Sequence, residues 1–401
     1  MQCSLTFIGK FSIMGVSDKY QTYQFWRQVI MIAELIKERQ LPDFLSREEM
    51  LDLLQKKEYG YFPDIPYEVS VSDPVNVEKR YCDGKVCYSR VNMTITTEYG
   101  SHTFPIRRIL HTDGSVNPFF ILLAFDNNVP NRSYPTEEVA DNGFDVLTIN
   151  YNEITKDNKD FTDGLPGIFL PNGQEKETDC GKIMFWAWAA MRVMDYAQTL
   201  DCLDKNQGAV LGHSRLGKTA LLTGALDTRF RYVFGNGSGC SGAALTRGNS
   251  GLPYIQSLPT EKDKLYDYEP EWKTGETIRD VMKQFPYWFC KHYEGYAVTN
   301  IPEDFDQHYL LASVAPRFVY VGSGNKDLWA DPTSEFLNTA AASAFYEKMG
   351  LTGLVHNDKL PEPEETFHEG RVGYHARLGY HFLSRHDWQK YMAYIRKHQF
   401  D

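Results

Sequence analysis

An α/β fold, with a mostly parallel central sheet sandwiched between helices, is what the sequence predicts, and three features predict it. Strand-like apolar runs alternate with helical periodicity through the second two-thirds of the 401 residues. Phe119-Phe120-Ile121-Leu122-Leu123-Ala124-Phe125 is continuously apolar, as a strand buried on both faces must be. Ala209-Val210-Leu211 runs into Gly212-His213-Ser214-Arg215-Leu216-Gly217-Lys218 and then Thr219-Ala220-Leu221-Leu222, which reads as strand, tight turn and helix.

Residues 19–56 have helical periodicity, carried by Tyr23, Phe25, Trp26, Ile30, Ile32, Leu35 and Ile36, then by Met50, Leu51, Leu53 and Leu54. Pro42 and Ser46 divide this stretch into two helices, and the first 60 residues are expected as a helical arm against the main domain. Val91–Thr97 and Phe104–Leu110 alternate around Glu98-Tyr99-Gly100-Ser101 and predict a hairpin. A short helix over Tyr134–Ala140 leads to a strand over Gly143–Ile149. The polar, Asp- and Gly-rich stretch near 152–180 reads as an insertion on the rim of a site. Gly181–Leu200 is a strong helix, Arg231–Asn236 a strand, and 249–273 a second irregular insertion. Thr274–Tyr293 is expected as a helix kinked at Pro286. Arg317–Gly322 is a late strand, Thr333–Met349 a helix, and Gly353–His356 a weak last strand. Tyr374–His381 is then a loop, and Asp387–His398 the closing helix. Residues 61–401 are expected to form one catalytic domain.

Composition excludes several functions. Forty-two per cent hydrophobic residues supply a large core. A net charge of −11 with no basic stripe argues against a nucleic-acid partner. The seven cysteines are scattered without zinc-ligand spacing, and His368-Glu369 lacks the second histidine of a zinc-protease helix, so neither metal nor cofactor is expected. Gly237-Ser238-Gly239-Cys240-Ser241-Gly242 has dinucleotide-fingerprint spacing, but Gly248, Gly251 and Pro253 break the helix that motif must open. No apolar run approaches the ~20 residues of a membrane span. The first residues lack the charge and apolar pattern of a signal peptide. The chain as written is expected to be cytoplasmic, or secreted if a leader is removed from the natural gene product. The sequence sets no oligomeric state.

A serine flanked by glycines on a strand-to-helix turn is the signature of a nucleophile elbow, and with it the prediction sharpens to an α/β-hydrolase fold. The helix beginning there aims its positive end at charge developing on a substrate oxygen. A serine needs a base, the base needs an orienting acid, and in this fold the chain order is Ser, acid, His. His368, His375, His381 and His386 come late enough. His381 is preferred because Gly379 permits a tight loop and the terminal helix follows; His375 is second. Asp327 and Asp331 both lie past the late strand. Asp327 comes first, whereas Asp331-Pro332 reads as a helix cap.

The longer pattern G-x-S-R-x-G-K resembles the nucleophile motif of the glucuronoyl esterases, carbohydrate esterase family 15. Further blocks resemble the bacterial members: Gly239–Ala244, Gly275-Glu276-Thr277, Phe285–Cys290, Asp306-Gln307-His308, Asp327–Pro332 and Tyr374–His381. The resemblance implies a serine hydrolase acting through an acyl-enzyme on esters between 4-O-methyl-glucuronate of xylan and lignin alcohols. It implies Ser214 as nucleophile, His381 as base, and Arg215 as an oxyanion-hole side chain. Lys218, Glu276 and Trp329 would bind the uronate of a small carbohydrate ester or oligosaccharide. One departure stands out. Many family members carry the acid in Asn-Glu-Ser-Gly, where this chain has Asn236-Gly237-Ser238-Gly239, so the acid is expected from Asp327. The competing expectations are an acetyl xylan esterase of the same fold, whose acyl pocket would be small and apolar, and a catalytically impaired carbohydrate-binding member.

Overall fold

Eleven strands form one sheet in the computed structural model, which describes residues 31–248 and 275–401. The strands are β1 (Glu68–Val71), β2 (Val75–Tyr81), β3 (Val86–Thr97), β4 (Gly100–His111), β5 (Asn117–Ala124) and β6 (Asp145–Asn150), followed by β7 (Leu203–His213), β8 (Tyr232–Asn236), β9 (Phe318–Gly324), β10 (Thr366–Phe367) and β11 (Val372–Arg377). Their order is β1-β3-β4-β6-β5-β7-β8-β9-β11-β10, with β2 pairing β3. From β6 through β11 the neighbouring strands run parallel, while β1 to β4 and β10 are antiparallel additions at the two edges. This is the α/β-hydrolase fold.

β5 reads as a nearly unbroken apolar run because helices cover both faces of the sheet. β5, β6 and β8 are buried almost throughout, with Phe120, Ile121, Val146 and Phe234 fully enclosed. One face packs against the helices Lys182–Ala197 and Arg215–Leu226. The other face packs against Arg385–His398, whose Trp388 and Tyr391 meet Phe120 and Phe234. Because the strands are parallel, the loops after β7, β8, β9 and β11 all open at the same, carboxyl end, where ligands of such sheets collect.

Tyr23, Phe25, Trp26 and Ile30, and all of the 249–273 insertion, lie outside the described residues. The helix Arg47–Leu54 begins at a capping box of Ser46 and Glu49 and buries Met50 and Leu54 in the main core. Arg47 ties it to the Ala225 carbonyl at 2.6 Å and to that of Ser313 at 2.8 Å. In the 152–180 stretch, Ile154, Leu165 and Phe169 are buried, and its carbonyls at Lys156 and Asp160 each lie 2.6 Å from the enclosed ammonium of Lys182. Among the described residues, which reach Gly248 on this side, the glycine-rich run 237–242 opens no helix.

Two expectations need correcting. The helix anticipated over Thr274–Tyr293 is three short pieces: Ile278–Gln284, then 3-10 turns Pro286–Trp288 and Lys291–Ala297. Pro286 stops the first piece instead of kinking it, because its ring and missing N–H end the ladder at Phe285. The last parallel strand is not Gly353–His356, which forms no strand. It is Val372–Arg377, inside the stretch read as a loop. Its apolar residues are broken by Gly373, His375 and Arg377, and the polar groups of His375 and Arg377 are buried through hydrogen bonds that a local pattern does not reveal.

Candidate active site

Ser214 stands at the turn between β7 and the helix Arg215–Leu226, with φ 59° and ψ −130°. A positive φ is costly for any residue with a side chain, and the neighbours hold it there. The Ser214 N–H donates to the Asn236 carbonyl at 2.8 Å, and the Gly217 N–H donates to the Ser214 carbonyl at 2.8 Å. The turn is so tight that a Cβ on Gly212 would stand 1.9 Å from the Leu216 carbonyl oxygen. The glycine is thus a steric requirement of the turn that carries the serine at the strand end.

His381 lies in the loop after β11, and its Nδ1 pairs with Oδ2 of Asp327 at 2.5 Å. The carboxylate is buried and the imidazole half-exposed, so Asp327 holds one ring nitrogen and leaves Nε2 for chemistry. The two loops are laced together. The Asn325 N–H donates to the Arg377 carbonyl, the Lys326 N–H to the Gly379 carbonyl, and the Gly379 N–H to Asn325 Oδ1, at 2.8 to 2.9 Å. The ring of His381 lies 4.4 Å from that of His213, the residue preceding Ser214. The Ser214 hydroxyl makes no hydrogen bond among the described residues. Such contacts commonly close only when substrate arrives.

The remaining candidates separate cleanly. His375 is inside β11, fully buried, and bonded to Asp387 at 2.8 Å and Tyr320 at 3.2 Å, which is a core role. His368 bonds Tyr320, and His386 faces Glu364. Asp331 caps the helix Pro332–Lys348 through the Ser334 N–H at 3.0 Å. Gly237 stands beside Asp327: a Cβ there would lie 3.3 Å from Asp327 Oδ2 and 3.4 Å from His213 Cε1. Asp327 therefore occupies the space into which a side chain at 237 would point.

Arg215 extends from the first turn of the helix Arg215–Leu226. Its Nη1 donates to Asp157, and its guanidinium lies 4.8 Å from the ring centre of Trp288, 5.2 Å from Phe285 and 5.8 Å from Phe125. Trp288 in turn donates its Nε1–H to Asp157 at 2.6 Å. One carboxylate and three rings thus fix the cation. Sequence reasoning missed Asp157 and Trp288. Asp157 sits in a polar insertion among other aspartates, and nothing local distinguishes it. Trp288 was legible only as part of the Phe285–Cys290 block.

Lys218, Glu276 and Trp329 are brought together as a chain of contacts. The Lys218 ammonium is buried and donates to the carbonyls of Ser238, at 2.6 Å, and Cys240, and to Glu276 Oε2 at 3.1 Å. Glu276 Oε1 accepts from the Trp329 indole at 3.0 Å, while the Glu276 N–H donates to the Trp329 carbonyl at 2.8 Å. The Trp329 residue is 42% exposed, so its ring faces the outside of this cluster. Behind the elbow, burial above all, then the nearby His381, pushes the His213 imidazole down to about 4. Neutral at ordinary pH, His213 places no second charge against the ring of His381.

The arrangement can be set beside known proteins. The family model for "Glucuronyl esterase, fungi" matches residues 93–350. A carbohydrate esterase from an unknown prokaryotic organism is 35% identical over 264 residues, 65% of this chain and 55% of that protein. A 4-O-methyl-glucuronoyl methylesterase from Hypocrea jecorina is 25% identical over 308 residues, 76% of this chain and 57% of that protein. The chain thus spans little more than half the length of these curated relatives. The solved structure of a promiscuous family 15 carbohydrate esterase from a marine bacterial metagenome aligns with a TM-score of 0.73 and 27% identity, covering 90% of this chain and 98% of that one. A glucuronoyl esterase from Solibacter usitatus aligns with a TM-score of 0.73 and 26% identity, covering 87% and 91%. The family match runs from the hairpin past the elbow to the helix behind Asp327, more than half of the chain, and the chain belongs to the glucuronyl esterase family.

Proposed function

We propose that this protein is a serine-dependent carboxylic ester hydrolase acting through an acyl-enzyme on a carbohydrate ester, most closely a 4-O-methyl-glucuronoyl ester. The observation that carries the reading is the His381–Asp327 pair, whose imidazole packs 4.4 Å from the ring of His213, the residue before Ser214 on its strained elbow. In the proposed reaction the Ser214 oxygen attacks the ester carbonyl while His381 takes its proton. The guanidinium of Arg215 receives the developing oxyanion. His381 then returns the proton to the departing alcohol, and water, deprotonated by the same imidazole, releases the uronic acid. Asp327 keeps the proton-bearing nitrogen of the imidazole turned away from the serine. The exposed indole of Trp329, braced by Glu276 and Lys218, is a platform for a sugar ring. The names of the relatives, a carbohydrate esterase and a 4-O-methyl-glucuronoyl methylesterase, support the same substrate class.

Hydrolysis of benzyl glucuronate measured against an aryl acetate tests this. The glucuronate ester is expected to be the better substrate. Ser214→Ala, His381→Ala and Asp327→Asn should each lower kcat by about a thousandfold or more. A large preference for the acetate, or parental turnover in Ser214→Ala, would discard the reading.

A further inference from the structure

Arg377, the last residue of β11, carries a buried guanidinium used in two directions at once. Its Nε–H donates to both oxygens of Asp387, at 3.1 and 3.0 Å. Its Nη2 donates to the carbonyl oxygens of Tyr380 and Phe382, each at 2.8 Å. Those two carbonyls belong to the residues immediately before and after His381. The anchor is itself held on several sides. Asp387 is fully buried, accepts from the Ser384 N–H at 2.6 Å and hydroxyl at 2.7 Å, and pairs with His375 at 2.8 Å. The connection runs from the start of the closing helix, through one carboxylate and one guanidinium, to the backbone on both sides of the imidazole.

His381 needs such a device. Its side chain is 42% exposed, so packing alone does not set the ring. Asp327 holds one nitrogen, which fixes direction along that bond but not the path of the backbone carrying the ring. We infer that Arg377 is a positioning residue for His381, clamping the two flanking carbonyls so that the imidazole stands between Asp327 and Ser214. This rests on the proposed role of His381 as the base. A planar fork reaching a carboxylate and two carbonyls is a task for arginine; the single ammonium of lysine, a compact point charge, does not span it.

The test compares Arg377→Lys with a double variant, Arg377→Met with Asp387→Asn, which removes both charges together and leaves no buried ion unpaired. Steady-state kinetics on benzyl glucuronate are read alongside the proton resonance of His381 Nδ1 and the thermal midpoint. In whichever variant is folded, kcat is expected to fall by about ten- to a hundredfold with KM within about twofold, the pattern of a misplaced base. The Nδ1 proton resonance should shift or broaden. A folded variant with parental kcat and an unmoved resonance would overturn the inference. The two proposals fail differently. If Ser214→Ala keeps parental turnover the esterase reading falls, whereas the resonance reports directly whether Arg377 holds the ring.

Discussion

Position 237 and position 327 compete for one volume. The Cβ direction of Gly237 ends 3.3 Å from the Asp327 carboxylate. A glutamate there would set two carboxylates against each other and force a side chain onto a backbone with φ +49°. Gly237→Glu alone is therefore expected to lower the thermal midpoint and kcat together. Combined with Asp327→Ala, it should recover part of the turnover that Asp327→Ala loses, because the second carboxylate then faces the imidazole alone. A double variant no more active than Asp327→Ala would show that 237 cannot supply the acid. The cluster of Lys218, Glu276 and Trp329 separates in the same way. The Lys218 ammonium is enclosed by protein acceptors, so Lys218→Met removes the buried cation that faces Glu276 and should cost roughly 3–5 kcal/mol by denaturant unfolding. Trp329 is 42% exposed. Trp329→Ala should leave stability nearly unchanged and raise KM.

At the scale of elements, what the sequence made legible followed from local physics. The elbow could be read because its glycines, serine and flanking strand and helix are contiguous and each is sterically required. The β3–β4 hairpin and β5 were legible from their periodicity. β11 was not, since its polar residues His375 and Arg377 are satisfied by Asp387, a dozen and ten residues away, and their burial is invisible to a local pattern. The same limit hid Asp157. Its partners Arg215 and Trp288 are distant in sequence and meet only because the sheet brings its loops to one end. Asp157 belongs to the insertion after β6, and that insertion thereby holds the cation at the elbow. Asp157→Ala should free the Arg215 side chain and lower kcat by about tenfold, with a smaller effect on the midpoint. Equal kcat in that variant would mean that the aromatic rings alone keep the guanidinium in place.

At the scale of the molecule, the carboxyl end of the sheet is tied together from beneath by one buried group. Glu335, on the helix Pro332–Lys348, accepts from the Gly239 N–H at 2.9 Å, the Ser238 hydroxyl at 3.3 Å and the Ser323 hydroxyl at 2.6 Å. It therefore joins the loop after β8 to β9, the two segments that flank Asp327. Burial, opposed by these hydrogen bonds, raises its carboxyl to about 7 from an ordinary 4.5. The folded chain holds this proton more tightly than the unfolded one. Its contribution to stability is complete below about pH 4.5 and is lost as pH rises through about 7, amounting to about 3 kcal/mol. Glu58, raised to about 8 by burial, acts with the same sign. His213 and His368, lowered to about 4 and about 3 by burial, act oppositely, since their unfolded forms take up the proton first. A single pH profile therefore mixes these groups, but Glu335→Gln isolates one. The glutamine keeps a carbonyl for Gly239 and cannot ionise. Denaturant unfolding of parent and variant at pH 5 and pH 8 should show the variant gaining on the parent as pH rises, by about 1–3 kcal/mol between the two. A difference that stays constant with pH would mean that the carboxyl of Glu335 titrates alike in the folded and unfolded chains, and that the brace beneath the site is indifferent to its charge.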